Sequence, residues 1–171
     1  TILIEQEDFR EEANRKFFRL KLGKEVRLKN AYIIKAESVE KDNNGKIKTV
    51  YCTYDPLSKS GSGTEESQRK VKGTLHWVSE LHAHQVQVRN YDRLFSDPNP
   101  DGHKDVDFTS FLNQNSLIEQ QAFIEPNIGK PHHGKNYQFQ RQGYYVVDPD
   151  STETNIIFNR TVGLRDNWSK K

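Results

Sequence analysis

The sequence predicts an all-β protein, and three observations carry that reading. Short runs of β-branched and aromatic residues recur along the chain, separated by clusters of Gly, Asn, Asp and Pro. Only one stretch, from about Phe9 to Leu20, keeps helical spacing of its apolar residues. Leu, Ile, Val and Phe total 41 of 171 residues, or 24%, above the roughly 20% below which disorder is expected. The rest is polar, with 33% hydrophobic residues and a mean hydropathy of −0.94. A thin core is therefore available, shared by one ordinary domain or two small ones.

Taken in order, Asp8-Phe9-Arg10-Glu11 fits a capping box, with an acceptor at the N-cap and Glu three residues on. The apolar positions Phe9, Ala13, Phe17 and Leu20 then predict one short N-terminal helix, ending near Gly23. Val26, Leu28 and Tyr32-Ile33-Ile34 form an extended run. Asp42-Asn43-Asn44-Gly45 supplies turn chemistry, and Ile47 to Tyr54 returns as the partner strand. Val50, Cys52 and Tyr54 share a face there, which predicts Cys52 as a small buried filler. Residues 56–69 read as a solvated loop, and Val71 to Val78 and His84 to Phe95 as two strands. Ser96 to Gly102 is a break, and Phe108, Phe111 and Leu112 suggest a helical turn. Leu117 to Ile124, Tyr137 to Val147 and Asn155 to Leu164 complete the strands. Many short strands and almost no helix point to a barrel or sandwich.

The net charge of +2 conceals an uneven distribution. Between Arg15 and Lys29 lie seven bases and one acid, +6 in all, which leaves −4 for the remainder. Such a stripe concentrates positive potential where a polyanion can sit; a solvated face gives the same pattern.

Several function classes are disfavoured. No apolar run approaches the roughly 20 residues of a membrane helix, so no membrane partner is expected. One cysteine excludes a disulfide framework, and residues 1–12 carry five acids against one arginine, unlike a leader. A cytoplasmic setting is expected. Asn159-Arg160-Thr161 and Asn167-Trp168-Ser169 match the glycosylation sequon by chance in that setting. His82-Ala83-His84 and His132-His133 lack a third ligand at metal spacing. No phosphate-binding glycine loop or nucleophile elbow occurs, so no metal, cofactor or catalytic residue is expected in this chain.

Single-stranded nucleic acid is held by cations along its backbone and aromatic faces under its bases. Lys16-Phe17-Phe18-Arg19 with Arg27 has that composition. So does Tyr137-Gln138-Phe139-Gln140-Arg141, where alternation predicts Tyr137, Phe139 and Arg141 on one face and Gln138 and Gln140 on the other. Ordinary cores and rims also place such residues side by side.

The stretch from Phe18 to Tyr32 (FRLKLGKEVRLKNAY) resembles the anticodon-binding region of glutaminyl-tRNA synthetases. So do Arg69 to Ser79 (RKVKGTLHWVS), Tyr91 to Phe95 (YDRLF) and Phe158 to Asp166 (FNRTVGLRD). The blocks span nearly the whole chain in the family's order. The middle ones are shared with eukaryotic-type glutamyl enzymes, whereas the last is glutaminyl in character.

The resemblance implies two β-barrel subdomains of a class I synthetase, the outer over residues 1–85 and the inner over 86–171, without its first strands. It implies a longer parent that joins glutamine to tRNA(Gln) using ATP and Mg, through a catalytic half absent from this sequence. This piece would be a non-catalytic reader of the anticodon loop. By motif, Arg19 resembles the residue at the third anticodon base, with Lys16 nearby, and Arg27 the one at the first. Gln138 and Arg141 resemble residues around the central uridine, for which a further arginine would lie before Thr1. Lys16, Lys24 and Lys29 would set register on phosphates. Phe18 stands where the family often has Lys, and Gln140 where it often has Glu. A glutamyl relative, or a stand-alone β-barrel interaction module, is the alternative.

Overall fold

The computed structural model describes residues 1–128 and 130–164. Arg165 and Asp166 of the terminal block, and the sequon at Asn167, lie outside them. The chain divides into two compact units, Thr1–Leu81 and His82–Lys171.

The first unit contains β1 (Ile2–Leu3), β2 (Phe9–Arg10), β3 (Leu20–Lys21), β4 (Glu25–Leu28), β5 (Ile33–Lys41), β6 (Ile47–Asp55), α1 (Glu65–Gln68), β7 (Thr74–Leu75) and β8 (Val78–Ser79). Its main sheet has the order β6-β5-β4-β7, with β4 antiparallel to β5 and parallel to β7. The alternation read in Val26 and Leu28 is realised: both are buried on β4, with Arg27 half-buried between them. They join Phe9, Leu20, Ala31, Ile34, Ala36 and Leu75 in one core. The 47–54 return strand forms as expected, and Asp42 closes its turn by accepting from the Asn44 and Lys46 N–H groups at 2.9 Å each.

The expected helix over Phe9–Leu20 does not form. Phe9 and Leu20, its two ends, instead lie side by side in a short parallel pair, Phe9 with Leu20 and Arg10 with Lys21, after a single 3-10 turn at Gln6–Asp8. The capping-box acid is diverted as well: the buried Asp8 carboxylate receives the Arg19 guanidinium at 3.1 Å. Burial of both apolar ends against the sheet outweighs local helical preference, which is worth only tenths of a kcal/mol per residue.

Cys52 is also placed differently, exposed rather than buried. It lies on β6, an edge strand paired only with β5, and a bulge between Ala36 and Ser38 breaks the register there. Partial desolvation, then Glu37, raises its thiol above the ordinary value, so the sulfur stays protonated and unreactive near neutral pH. The run Val71–Val78 yields only the two-residue strands β7 and β8, the latter paired with β1.

The second unit is a five-stranded sheet of order β10-β9-β13-β12-β11, from β9 (His84–Tyr91), β10 (Leu117–Ile124), β11 (Asn136–Phe139), β12 (Gly143–Val147) and β13 (Ile157–Gly163). All its pairings are antiparallel except β13 with β9. The helical turn expected near Phe108 is a 3-10 turn, Phe108–Phe111. Val86, Val88, Ile124, Tyr145, Val147 and Phe158 form the core, lined by Tyr137 and Phe139 edge-on to Phe158 at 5.5 and 5.1 Å.

A polar knot around the buried Asp148 ties this sheet together. Arg89 on β9 reaches Glu119 on β10 at 3.0 Å, Asp148 at 3.1 Å and Asp150 at 3.0 Å. Asp148 also accepts from the Asn159 amide and the Asp150 N–H. The sequon at Asn159 is thus spent internally. Burial opposes ionisation of Asp148, but these donors and Arg89 outweigh it and hold the carboxyl below its ordinary value.

The all-β expectation holds, with one short α-helix, but neither unit's sheet closes into a barrel among the described residues. Strands β10 and β11 in one sheet, and β6 and β7 in the other, each pair on one side only. No described helix is long and apolar enough to cross a membrane.

Candidate nucleic-acid interface

The basic stripe of residues 15–29 separates, once folded, into exposed and anchored cations. Arg15, Lys16, Lys24 and Lys29 are exposed. Lys16 lies within a turn in which its own N–H donates to Asn14 Oδ1 at 2.9 Å. Lys24 lies in the connection between β3 and β4, where its N–H bonds the Lys21 carbonyl at 3.1 Å. Lys29 directly follows β4, its backbone fixed by the Leu75 carbonyl at 2.8 Å and the Trp77 indole N–H at 3.0 Å.

The half-buried bases Arg19, Lys21 and Arg27 are tied to the protein. Lys21 donates to the Ala13 carbonyl at 3.3 Å. Arg19 anchors through Nη1 alone, to Asp8 at 3.1 Å and the Glu7 carbonyl at 3.2 Å. Its Nε and Nη2 have no partner among the described residues. These two nitrogens form the side-on fork of a guanidinium, the geometry that suits two acceptors on one planar ligand. Asp8, 2% exposed, thus aims the group while leaving that edge open.

Arg27 is committed far more completely. Nη1 donates to the Ser58 carbonyl at 2.8 Å and Ser60 Oγ at 3.3 Å. Nη2 donates to the carbonyls of Ser67 at 3.0 Å and Arg69 at 3.1 Å. Both terminal nitrogens, with two N–H groups each, are occupied by the 58–69 loop. Around them Arg69 pairs with Glu25 at 2.5 Å and with Asp55 at 3.4 Å. Buried Ser58 bridges the Ile33 N–H at 2.8 Å and the Asp55 carbonyl at 2.6 Å. The loop read as solvated is therefore latched to β4.

Gln138 and Arg141 belong to the second unit. Tyr137 and Phe139 turn into the core and Gln138 turns outward, as alternation requires. It pairs across β11–β12 with Tyr144, itself 45% exposed. Arg141 does not share the face of Tyr137 and Phe139. It occupies the turn between the strands with φ 68°, because the chain must reverse within Gln140–Gln142 and alternation ends where the ladder ends. Among the described residues no group of three or more His, Cys, Asp and Glu side chains could hold a metal ion.

Spacing alone misses three participants: Asp8 as the anchor of Arg19, the serine-rich loop as the partner of Arg27, and Lys72, whose ammonium lies 5.8 Å from the Phe18 ring. All three depend on contacts between segments distant in sequence.

Two domain families, each described as the anti-codon binding domain of class I tRNA synthetases (E and Q), match residues 1–55 and 74–148. The chain belongs to this anticodon-binding family of the class I synthetases. Within it, the similarity is to glutamine–tRNA ligases. That of Rhodopirellula baltica is 56% identical over 170 residues, 99% of this chain and 28% of the relative. Those of Proteus mirabilis and Escherichia coli O157:H7 are 53% identical over 169 residues and 54% over 170, each covering 99% of this chain and 30% of the relative. The chain spans less than a third of the length of these relatives.

Proposed function

We propose that this chain is the anticodon-reading portion of a glutamine–tRNA ligase and that its ligand is the anticodon loop of tRNA(Gln). The parent would join glutamine to the tRNA with ATP and Mg, in a catalytic part outside this sequence. The first unit would be the outer and the second the inner of the family's two barrels, closed in the longer protein by further strands. The observation that carries the reading is Arg19. Its guanidinium is oriented by a buried carboxylate through one nitrogen, with the Nε–Nη2 edge open and exposed Lys16 nearby in the sequence.

The chemistry follows from that geometry. A guanine offers O6 and N7 as two acceptors in one plane, which a guanidinium fork meets with two hydrogen bonds. Arg19 would read the third anticodon base in this way. Lys16, Lys24 and Lys29 would meet phosphates, fixing register without reading sequence. Gln138 offers both a donor and an acceptor to the edge of the central uridine, with Arg141 at the adjacent turn. Arg27 contributes at the first base through the loop it latches, since its terminal N–H groups are already in use.

Titration with a tRNA(Gln) anticodon stem–loop at two salt concentrations tests the reading. Affinity should fall as salt rises, with a log–log slope of about −0.7 per phosphate neutralised on a single strand. Arg19→Ala should cost about 1–3 kcal/mol and erase the preference for guanine at the third anticodon position. Equal discrimination by parent and mutant would remove Arg19 from the decoding role.

A further inference from the structure

We infer that Phe18, backed by Lys72, is a stacking shelf for one unpaired base of the RNA loop. The inference rests on the anticodon-binding reading and adds a residue and a mode of contact to it.

Two adjacent phenylalanines follow Lys16, and the fold treats them differently. Phe17 is half-buried, with the Arg10 guanidinium 5.0 Å above its ring. Phe18 is left 53% exposed, although this is a chain with little apolar surface to spare. Its exposure is not looseness of the backbone. A Cβ added to Gly73 would lie 2.1 Å from the Phe18 carbonyl oxygen, and Gly73 has φ +104°. The backbone of residue 18 thus lies against a position that only glycine can fill. Gly73 in turn accepts from the Arg27 N–H at 3.1 Å, on β4.

The ring is therefore held on a fixed backbone and projects into solvent. Lys72, immediately before that glycine, brings its ammonium to 5.8 Å from the ring centroid, and Phe18 stays exposed beside it. Exposed Lys16 and the Arg19 fork are its neighbours in sequence. A flat aromatic surface among cations suits a splayed nucleotide: the base lies on the ring and its phosphate meets an ammonium. Stacking is indifferent to base identity, so Phe18 would supply affinity and orientation while Arg19 supplies discrimination.

The 171-residue chain is titrated with anticodon stem–loops carrying 2-aminopurine at one loop position at a time. The parent should quench the probe strongly at one position. Phe18→Leu should weaken binding about tenfold and abolish that quench, with an unchanged salt slope, because a neutral ring displaces no counterion. Phe18→Trp should retain both affinity and quench, which separates loss of stacking from loss of folding. Lys72→Ala should reduce the magnitude of the salt slope by about 0.7. If Phe18→Leu binds within about twofold of the parent and keeps the quench, the shelf is refuted while the anticodon reading stands. Failure of the parent itself to bind the stem–loop overturns both.

Discussion

Replacing Arg27 by alanine separates two roles that the sequence alone leaves superimposed. The guanidinium donates to the Ser58, Ser67 and Arg69 carbonyls and to Ser60 Oγ. Three of these contacts are partly buried and the one to Arg69 is exposed. Counting about 1 kcal/mol for each partly buried bond, and nothing for the exposed one, gives about 3 kcal/mol lost from the first unit. For a unit of this size that corresponds to a drop in Tm of about 12–24 °C. The assay is urea and thermal unfolding followed by Trp77 fluorescence in a Trp168→Phe background. Trp77 is a suitable reporter because its indole bonds the Lys29 carbonyl just beyond β4. Trypsin cleavage at Lys59 should accelerate in parallel as the latched loop is released. Arg27→Lys should recover less than half of the loss, since one ammonium cannot span four acceptors that a fork reaches from two nitrogens. The latch is refuted if Arg27→Ala unfolds within about 0.5 kcal/mol of the parent, with unchanged cleavage, while stem–loop binding collapses. The guanidinium would then be acting on RNA rather than on the loop.

Two further outcomes follow from the packing. Gly73→Ala should destabilise the first unit by about 2–3 kcal/mol or more, because it combines a left-handed backbone with a methyl group driven into the Phe18 carbonyl; unfolding at parental urea would contradict the close approach. Asp148 should shape the acid limb of the second unit. Its folded-state carboxyl is held below the ordinary value, so its stabilisation is present above the unfolded pKa of about 3.9 and is lost as pH falls below it. Asp148→Asn should flatten that part of the stability–pH curve, as measured by urea unfolding across the acid range, and a parental slope in the mutant would remove Asp148 from the linkage.

Much of the architecture is legible in the residues because it rests on local periodicity. Strands β5 and β6 alternate or carry β-branched runs, and Asp42-Asn43-Asn44-Gly45 sets their turn within five residues. Leu117–Ile124 and the 157–163 strand are recovered for the same reason, as is the all-β class. The failures share a different cause. Phe9 to Leu20 has helical spacing, yet its ends pair with each other because the core beneath needs both side chains. Cys52 has an inward parity on paper, but a bulge and an edge position place it at the surface. Arg141 continues an alternation that stops at Phe139, two residues before it.

The candidate surface divides along the same line. The order of residues was enough to identify a +6 stripe, its aromatic neighbours and the family they belong to, because those signals are composition and motif. Which cations face outward was settled only by folding: identical guanidinium groups at 19 and 27 differ in availability when one is held by a buried carboxylate and one carbonyl through a single nitrogen and the other by four oxygens of a distant loop. Charge is a property of the residue, whereas its availability depends on acceptors that tertiary packing brings within about 3 Å.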